Sequence, residues 1–143
     1  MRRTIIIGAS SGIGRELARL YAADGDVLGL AARRLTLLEE LQSELGAQAY
    51  IRRMDISQPE EAVSILMDLI SEMGGLDLLI ICSGTGHINP GLDWEPERDT
   101  ISVNVAGFTA LACAAMNFFI RQGFGHLVAI SSIAALRGSA ECP

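Results

Sequence analysis

The stretch Gly8-Ala9-Ser10-Ser11-Gly12-Ile13-Gly14 decides the fold, because it joins a short β-branched segment at residues 4–7 to a segment with helical spacing. A strand that enters a helix through a glycine-rich loop is where a dinucleotide pyrophosphate can rest on a helix N-terminus. Gly8 allows a sharp turn, Gly12 lets the backbone approach phosphates, and Gly14 lets the helix pack closely on the strand. We therefore expect the loop to contact a nucleotide through Gly8, Ser10, Ser11, Gly12, Ile13 and Gly14. A tight turn without a ligand is the alternative.

Strand-like and helix-like segments alternate along the rest of the chain. Apolar runs predict buried strands at residues 4–7, 27–32, 47–53, 76–82 and 127–130. Predicted helices lie between them: one with Ile13, Leu17, Leu20 and Tyr21 on one face, a second marked by Leu35, Leu38, Leu41 and Leu45, a third opened by a capping box at residues 57–60, and a long one at residues 97–122. The second half of this last helix is apolar almost all round, so we expect it to be buried.

Strands buried on both faces and separated by helices indicate a parallel sheet covered on each side. Right-handed crossovers then give an α/β fold with three layers, which is a doubly wound parallel sheet of the Rossmann type. We expect one domain over residues 1–143, with the sheet incomplete on its C-terminal side.

Composition excludes several classes of function. The net charge of −6 argues against a nucleic-acid surface. No apolar run approaches the ~18 residues of a membrane helix. The three cysteines show neither metal spacing nor a disulfide pattern, so we expect no metal site and a reducing, cytoplasmic location. Cys82 and Cys113 are interpreted as buried packing residues.

The end of the second predicted strand indicates which nucleotide is bound. A site selective for NAD places a carboxylate there to bind the ribose 2′-hydroxyl, whereas this chain has Ala32. The next residue is Arg33, whose guanidinium suits a 2′-phosphate, so the sequence predicts NADP(H). Arg15 is a second candidate for the phosphate. The alternative is that Arg33 and Arg34 are solvated charges at a helix entry.

The G-x-x-x-G-x-G spacing resembles the fingerprint of the short-chain dehydrogenase/reductase family, and the resemblance extends over the whole chain. It implies that Asp55 accepts a hydrogen bond from the adenine amino group, that Ile56 supplies a backbone contact, and that Gly84 lies beside the cofactor ribose. Turn chemistry before a helix is the alternative role for Asp55. The chain departs from the family at Cys82-Ser83, where two asparagines are usual.

The resemblance also implies two catalytic residues. Asn104 matches the asparagine that shapes the long helix and holds a water in a proton relay, and Ser132 matches the serine that binds the substrate oxygen. The family then needs a Tyr-x-x-x-Lys pair, whose tyrosine is the general acid in reduction. The chain ends at Pro143 before that pair, its only tyrosines are Tyr21 and Tyr50, and it has no lysine. We therefore expect an N-terminal fragment of a longer reductase, inactive by itself.

The implied function is that of an NADP(H)-dependent oxidoreductase acting on a small-molecule carbonyl or alcohol. In the family the long helix commonly packs in the subunit interface, so a homo-oligomer is expected. Two alternatives stay open. One is a non-catalytic nucleotide-binding or interaction module, and the other is a different Rossmann enzyme such as a methyltransferase. Arg33, Asn104 and the Ser131-Ser132 pair argue against the methyltransferase.

Overall fold

Five parallel strands form the sheet in the computed structural model, which describes residues 1–46 and 49–136. In chain order they are β1 (Arg3–Ile7), β2 (Val27–Ala32), β3 (Ala49–Arg53), β4 (Leu78–Ile81) and β5 (His126–Ala129). They lie side by side in the order β3-β2-β1-β4-β5. The winding direction reverses between β1 and β4, so the carboxyl ends of these strands form a switch point. Each predicted strand is found with small shifts at its ends; residues 47 and 48 lie outside the described part.

Helices cover both faces of the sheet. They are α1 (Gly12–Ala23), α2 (Leu35–Leu45), α3 (Pro59–Glu72), α4 (Trp94–Ile101) and α5 (Phe108–Gln122), with a π-helical segment (Ser102–Gly107) that joins α4 to α5. Ile6 of β1 packs into a hydrophobic cluster with α1 and α2, whereas its neighbours Ile5 and Ile7 pack into a second cluster with α3 and α5. This alternation is expected of a strand buried on both faces. The predicted three-layer, doubly wound α/β fold is confirmed.

The apolar face predicted for α1 is only partly buried. Its buried residues are the small Gly14 and Ala18, while Ile13 and Leu20 are 59% and 63% exposed. Small residues let the helix axis approach the sheet closely, and this contact rotates the larger apolar side chains toward solvent. The apolar pattern alone favoured the larger residues.

The predicted capping box at residues 57–60 does not form. Gln58 is the N-cap of α3 without a side-chain hydrogen bond, and Pro59 occupies the first helical position. The Ser57 hydroxyl donates instead to Asp55 Oδ1 at 2.8 Å. The hydrogen bond to the carboxylate two residues earlier holds the Ser57 side chain in the turn that precedes α3.

The long helical stretch begins at Trp94, three residues before its predicted start, and it is buried on one stripe only. That stripe consists of Val103, Gly107, Leu111, Ala115 and Phe119, which recur every four residues. Other apolar side chains of the stretch are exposed, including Val105 at 56% and Ile120 at 71%. The expectation that this helix packs against other elements holds for this one stripe, whereas Cys113, predicted to be buried, is exposed.

The same stretch, Trp94–Gln122, has the length and composition of a membrane span, with a mean hydropathy of 1.7 in its most apolar window. This differs from the sequence expectation, which considered uninterrupted apolar runs. Helices that pack in a layered core meet the same criterion. Here the buried stripe packs on α3 and the sheet, as the larger hydrophobic cluster shows.

Candidate functional site

The glycine loop folds tightly against the switch point of the sheet. The Gly8 amide donates to the Ala31 carbonyl at 2.7 Å, and the Gly8 φ of +93° lies in a region that favours glycine. A Cβ on Gly8 would lie 2.8 Å from the Ser83 amide nitrogen, and one on Gly14 would lie 2.9 Å from the Gly8 carbonyl carbon. Side chains at these positions would push apart the loop, α1 and the segment after β4.

The start of α1 presents free backbone to the same space. Ser11 is the N-cap, and the helix begins at Gly12 with a φ of +55°. A Cβ on Gly12 would meet no atom within 4 Å, so this side of the loop is open. The first amides of a helix have no partner within it and carry partial positive charge, which suits an anion such as a phosphate.

All ten residues predicted to contact the cofactor line one cavity of about 300 Å³ at the carboxyl ends of β1, β2, β3 and β4. They are Gly8, Ser10, Ser11, Gly12, Ile13, Gly14, Arg33, Asp55, Ile56 and Gly84. The cavity is also lined by Ala32, Arg34, Met54, Cys82, Ser83, Val103 and Ile130. The carboxyl ends of parallel strands meet at one sheet edge, which explains why residues far apart in sequence come together here.

Arg34 is the residue of this cavity that the sequence interpretation missed. Its Nη2 donates to the Ser11 hydroxyl at 2.7 Å and to the Ser10 hydroxyl at 3.1 Å. Arg33 is exposed on the rim and forms no hydrogen bond or ion pair with any described residue. The sequence feature that could have identified Arg34 is its position as the second arginine of a pair, at the N-cap of α2.

Arg15 does not reach the cavity. Its Nη2 pairs with Glu44 Oε2 at 3.2 Å, so the side chain bridges α1 to α2. Arg19 donates to the same carboxylate at 2.6 Å. Hydrogen bonds from Arg19 and then Arg15 lower the pKa of Glu44 to about 2. The suggestion that Arg15 binds a phosphate is therefore wrong for this conformation.

Asp55 makes the turn contacts that were one of its two expected roles, and it also lies at the cavity. Its Oδ1 accepts hydrogen bonds from the Ser57 amide at 3.0 Å and from the Ser57 hydroxyl at 2.8 Å, which is turn chemistry. The residue also lines the cavity between β2 and β3. The turn fixes the carboxylate at the edge of the cavity, and fixed polar groups are what orient a ligand.

A second, larger cavity of about 820 Å³ lies at the carboxyl ends of β4 and β5. The two cavities share Cys82, Ser83, Gly84 and Ile130, so they adjoin at the switch point. Both predicted catalytic residues, Asn104 and Ser132, line the second cavity. Cys82 stands between the two cavities, and its burial raises the pKa of its thiol.

Asn104 holds the segment that follows β4. Its Oδ1 accepts from the Thr85 amide at 2.9 Å, and its Nδ2 donates to the Thr85 carbonyl at 2.7 Å. Asn104 lies in the π-helical segment, and Gly107 at the end of that segment approaches the loop after β3. A Cβ on Gly107 would lie 2.8 Å from the Ile56 carbonyl carbon. The π-helical segment thus connects both cavities, which accords with the frequent occurrence of such segments at functional sites.

Ser132 lies where β5 leaves the sheet. Its Oγ accepts a hydrogen bond from the Ala134 amide at 3.1 Å and caps the short 3₁₀ helix Ile133–Ala135. The side chain is exposed and lines the larger cavity. The hydroxyl hydrogen is not used in this contact, so Ser132 can donate a hydrogen bond to a ligand oxygen.

The remaining candidates lie away from both cavities. His87 pairs with Asp99 Oδ2 at 2.8 Å and lines neither cavity. Tyr21 packs beneath the Arg2 guanidinium, 4.8 Å from the ring centroid, and Tyr50 lies in β3. Neither tyrosine lines the cavity that holds Asn104 and Ser132. The described residues contain no group of three or more His, Cys, Asp or Glu side chains that could hold a metal ion.

A doubly wound parallel sheet with a glycine loop at its switch point defines the Rossmann class of α/β proteins. The family model described as short chain dehydrogenase matches residues 2–143, and the chain belongs to the short-chain dehydrogenase/reductase family. An uncharacterized oxidoreductase of Mycobacterium tuberculosis is 34% identical over 146 residues, which cover 96% of this chain and 57% of that protein. Dehydrogenase/reductase SDR family member 7B of Bos taurus is 34% identical over 140 residues, covering 90% and 43%. The chain thus spans about half the length of these relatives.

Solved structures agree with the family. A short-chain type dehydrogenase/reductase from Mycobacterium marinum superposes with a TM-score of 0.86 at 29% identity, covering 96% of this chain and 58% of that one. An actinorhodin polyketide ketoreductase variant, solved with NADPH, superposes with a TM-score of 0.87 at 26% identity, covering 99% and 57%.

Proposed function

We propose that this chain is the nucleotide-binding part of an NADP(H)-dependent oxidoreductase that acts on a small-molecule carbonyl or alcohol. The observation that carries the proposal is the smaller cavity, where a glycine loop, a helix N-terminus and two arginines face one space. Membership of the short-chain dehydrogenase/reductase family supports the reaction class. The ketoreductase neighbour solved with NADPH supports the choice of cofactor.

The residues present fit a dinucleotide. Gly8 and Gly14 leave no room for side chains where the loop, α1 and the segment after β4 converge, and the open face of Gly12 leaves space for phosphates. Asp55 would accept from the adenine, Ile56 would supply a backbone contact, and Gly84 would lie beside the second ribose. When bound, the cofactor supplies the hydride chemistry, while the protein supplies position and electrostatics.

The arginines favour the phosphorylated form of the cofactor. Ala32 offers no carboxylate for a 2′-hydroxyl, and Arg33 and Arg34 follow directly on the cavity rim. Arg34 already forms charge–dipole hydrogen bonds with the hydroxyls of Ser10 and Ser11. These three side chains would form a phosphate site in which the guanidinium supplies charge and the hydroxyls supply further donors.

The larger cavity would take the substrate. Ser132 would donate a hydrogen bond to the substrate oxygen, and Asn104 would hold the segment after β4 in place while helping to order a water. We place the tyrosine and lysine of the family beyond this chain, since Tyr21 and Tyr50 line neither cavity and the sequence has no lysine. The chain alone would then bind the cofactor without turnover.

We further propose a cytoplasmic homo-oligomer. The exposed apolar side chains of the α4–α5 stretch, among them Met116 and Ile120, support an interface between subunits. The free cysteines Cys82 and Cys113 support a reducing compartment.

Titration of the purified chain with NADPH, NADH and S-adenosylmethionine tests the cofactor. The proposal predicts that NADPH binds at least about tenfold more tightly than NADH, since a phosphate bound by a guanidinium contributes about 1.5–3 kcal/mol. Arg34→Gln should reduce that ratio, while the matched control Arg98→Gln, on α4, should preserve it. Binding of S-adenosylmethionine without NADPH would favour a methyltransferase instead.

The intact mass of the natively expressed protein separates an enzyme from a binding module. A mass well above the 15.2 kDa of this chain would support a complete reductase. A native mass of 15.2 kDa would support the non-catalytic module.

A further inference from the structure

Three of the described arginines that pair with no carboxylate lie at the neighbouring ends of β2 and β3: Arg33 and Arg34 line the smaller cavity, and Arg53 ends the adjacent strand outside the cavity lining. Five others are paired with carboxylates elsewhere: Arg2, Arg3, Arg15, Arg19 and Arg52. Arg34 bonds to serine hydroxyls, and neither Arg33 nor Arg53 forms a hydrogen bond or ion pair within residues 1–46 and 49–136. Unpaired positive charge in a chain of net charge −6 points to an anionic ligand.

The strand register brings Arg53 beside the other two. Arg53 is the last residue of β3, and its Cα pairs with that of Ala32 on β2. The Met54 amide also donates to the Ala32 carbonyl at 2.9 Å, so the pairing continues to the end of the strand. Neighbouring strands are about 4.8 Å apart, so Arg53 lies one strand away from the residue that precedes Arg33.

Arg53 also lies on the correct face of the sheet. Successive side chains of a strand point to opposite faces, and Ile51 packs into the cluster formed with α1 and α2. Arg53 therefore shares the face on which α2 begins, immediately after Arg34. Arg52 points to the opposite face, where it pairs with Glu72 of α3.

The position within the sheet indicates which end of a ligand the three arginines would meet. They lie at β2 and β3, whereas Asn104 and Ser132 line the cavity at β4 and β5 on the other side of β1. A dinucleotide that spans the switch point places its adenosine half toward β2 and β3. The anion at this place is therefore part of the adenosine half and not part of the substrate.

We propose that Arg53 is a third cation for the 2′-phosphate of NADP(H) and determines cofactor specificity together with Arg33 and Arg34. This inference rests on the proposed NADP(H) function. A phosphate monoester carries between one and two negative charges near neutral pH, so several cations can bind it together. Arg34 is fixed by the loop serines, Arg33 lies on the cavity rim, and Arg53 would reach the phosphate from the end of the neighbouring strand.

The test compares Arg53→Gln with Arg121→Gln, which removes an exposed arginine on α5 at a distance from both cavities. The probes are NADPH, NADH and adenosine 2′,5′-bisphosphate, with binding measured by calorimetry and folding checked by thermal melting. Arg53→Gln should weaken NADPH and the bisphosphate about 5- to 10-fold and change NADH less than about 2-fold. Arg53→Lys should restore part of the loss, and Arg121→Gln should change none of the three.

Two failures are distinguishable. If the unmodified chain binds NADPH no more tightly than NADH, the proposed cofactor preference is itself wrong. If that preference exists but Arg53→Gln retains it, or weakens NADPH and NADH equally, Arg53 is not part of the phosphate site while the proposed function stands.

Discussion

Gly14→Ala tests whether the close packing of the glycine loop is required for both folding and cofactor binding. A Cβ at this position would lie 2.9 Å from the Gly8 carbonyl carbon and 3.2 Å from the Ala9 Cα, and closer still to the Gly8 oxygen. Carbon atoms in good contact are about 3.5–4.0 Å apart, so backbone must move by at least about 0.5 Å. No side-chain rotation can relieve the contact, because every neighbour named is backbone.

Two opposing energies set the expected size of the effect. Overpacking of this kind costs about 1–3 kcal/mol, while alanine is favoured over glycine within a helix by about 1 kcal/mol. Because every clashing atom is backbone, the overpacking cost should lie in the upper half of its range, about 2–3 kcal/mol. The net loss of unfolding free energy should then be about 1–2 kcal/mol, which lowers Tm by about 3–8 °C for a chain of this size. The displaced start of α1 should also weaken NADPH binding about tenfold or more, because hydrogen bonds to phosphate depend steeply on distance.

Differential scanning calorimetry and NADPH titration measure the two effects. Gly86→Ala is the matched control for stability, since a Cβ at Gly86 would meet no atom within 4 Å and its φ is not in the left-handed region. That variant should melt within about 1 °C of the unmodified chain, in the manner of surface substitutions. A Gly14→Ala chain that keeps both its Tm and its NADPH affinity would refute the packing argument.

Two further predictions concern polar contacts. Asp77 accepts from the Arg3 side chain at 2.7 and 2.9 Å, and this pairing lowers its pKa below the ordinary value of 3.8. The stabilisation is therefore present above pH 3.8 and is lost as the pH falls below it. Asp77→Asn should lower the free energy of unfolding by about 1–2 kcal/mol at pH 7 and by much less in acid, as measured by urea unfolding at each pH. An equal loss at both pH values would contradict this. Asn104→Ala removes both hydrogen bonds to the Thr85 backbone and should cost about 1 kcal/mol. Amide exchange at Thr85 should quicken by about fivefold, whereas unchanged exchange would show that Asn104 does not hold this segment.

The smaller cavity could be predicted because its parts follow a topological rule. Once the strands are identified, parallel packing places the loop after β1 and the ends of β2, β3 and β4 at one edge. Gly8, Arg33, Asp55 and Gly84 therefore meet in space although they are far apart in sequence. No side-chain geometry was needed for that inference.

What the sequence could not predict depends on competition between neighbouring groups. Arg34, not Arg33, forms hydrogen bonds with the loop serines, because the direction of each side chain is set by the entry into α2. Ser57 bonds to Asp55 instead of capping α3. The π-helical turn around Asn104 likewise depends on tertiary contacts that local propensity does not encode.

Amide chemical-shift mapping of the ¹⁵N-labelled chain with NADP⁺ shows whether the cavity at the switch point binds NADP(H). We expect saturable shifts that are largest in the loop Gly8 to Gly14, at Arg33 and Arg34, and at Ile56, all of which line that cavity. Absence of shifts at millimolar NADP⁺, or shifts confined to residues outside the cavity, would contradict this expectation.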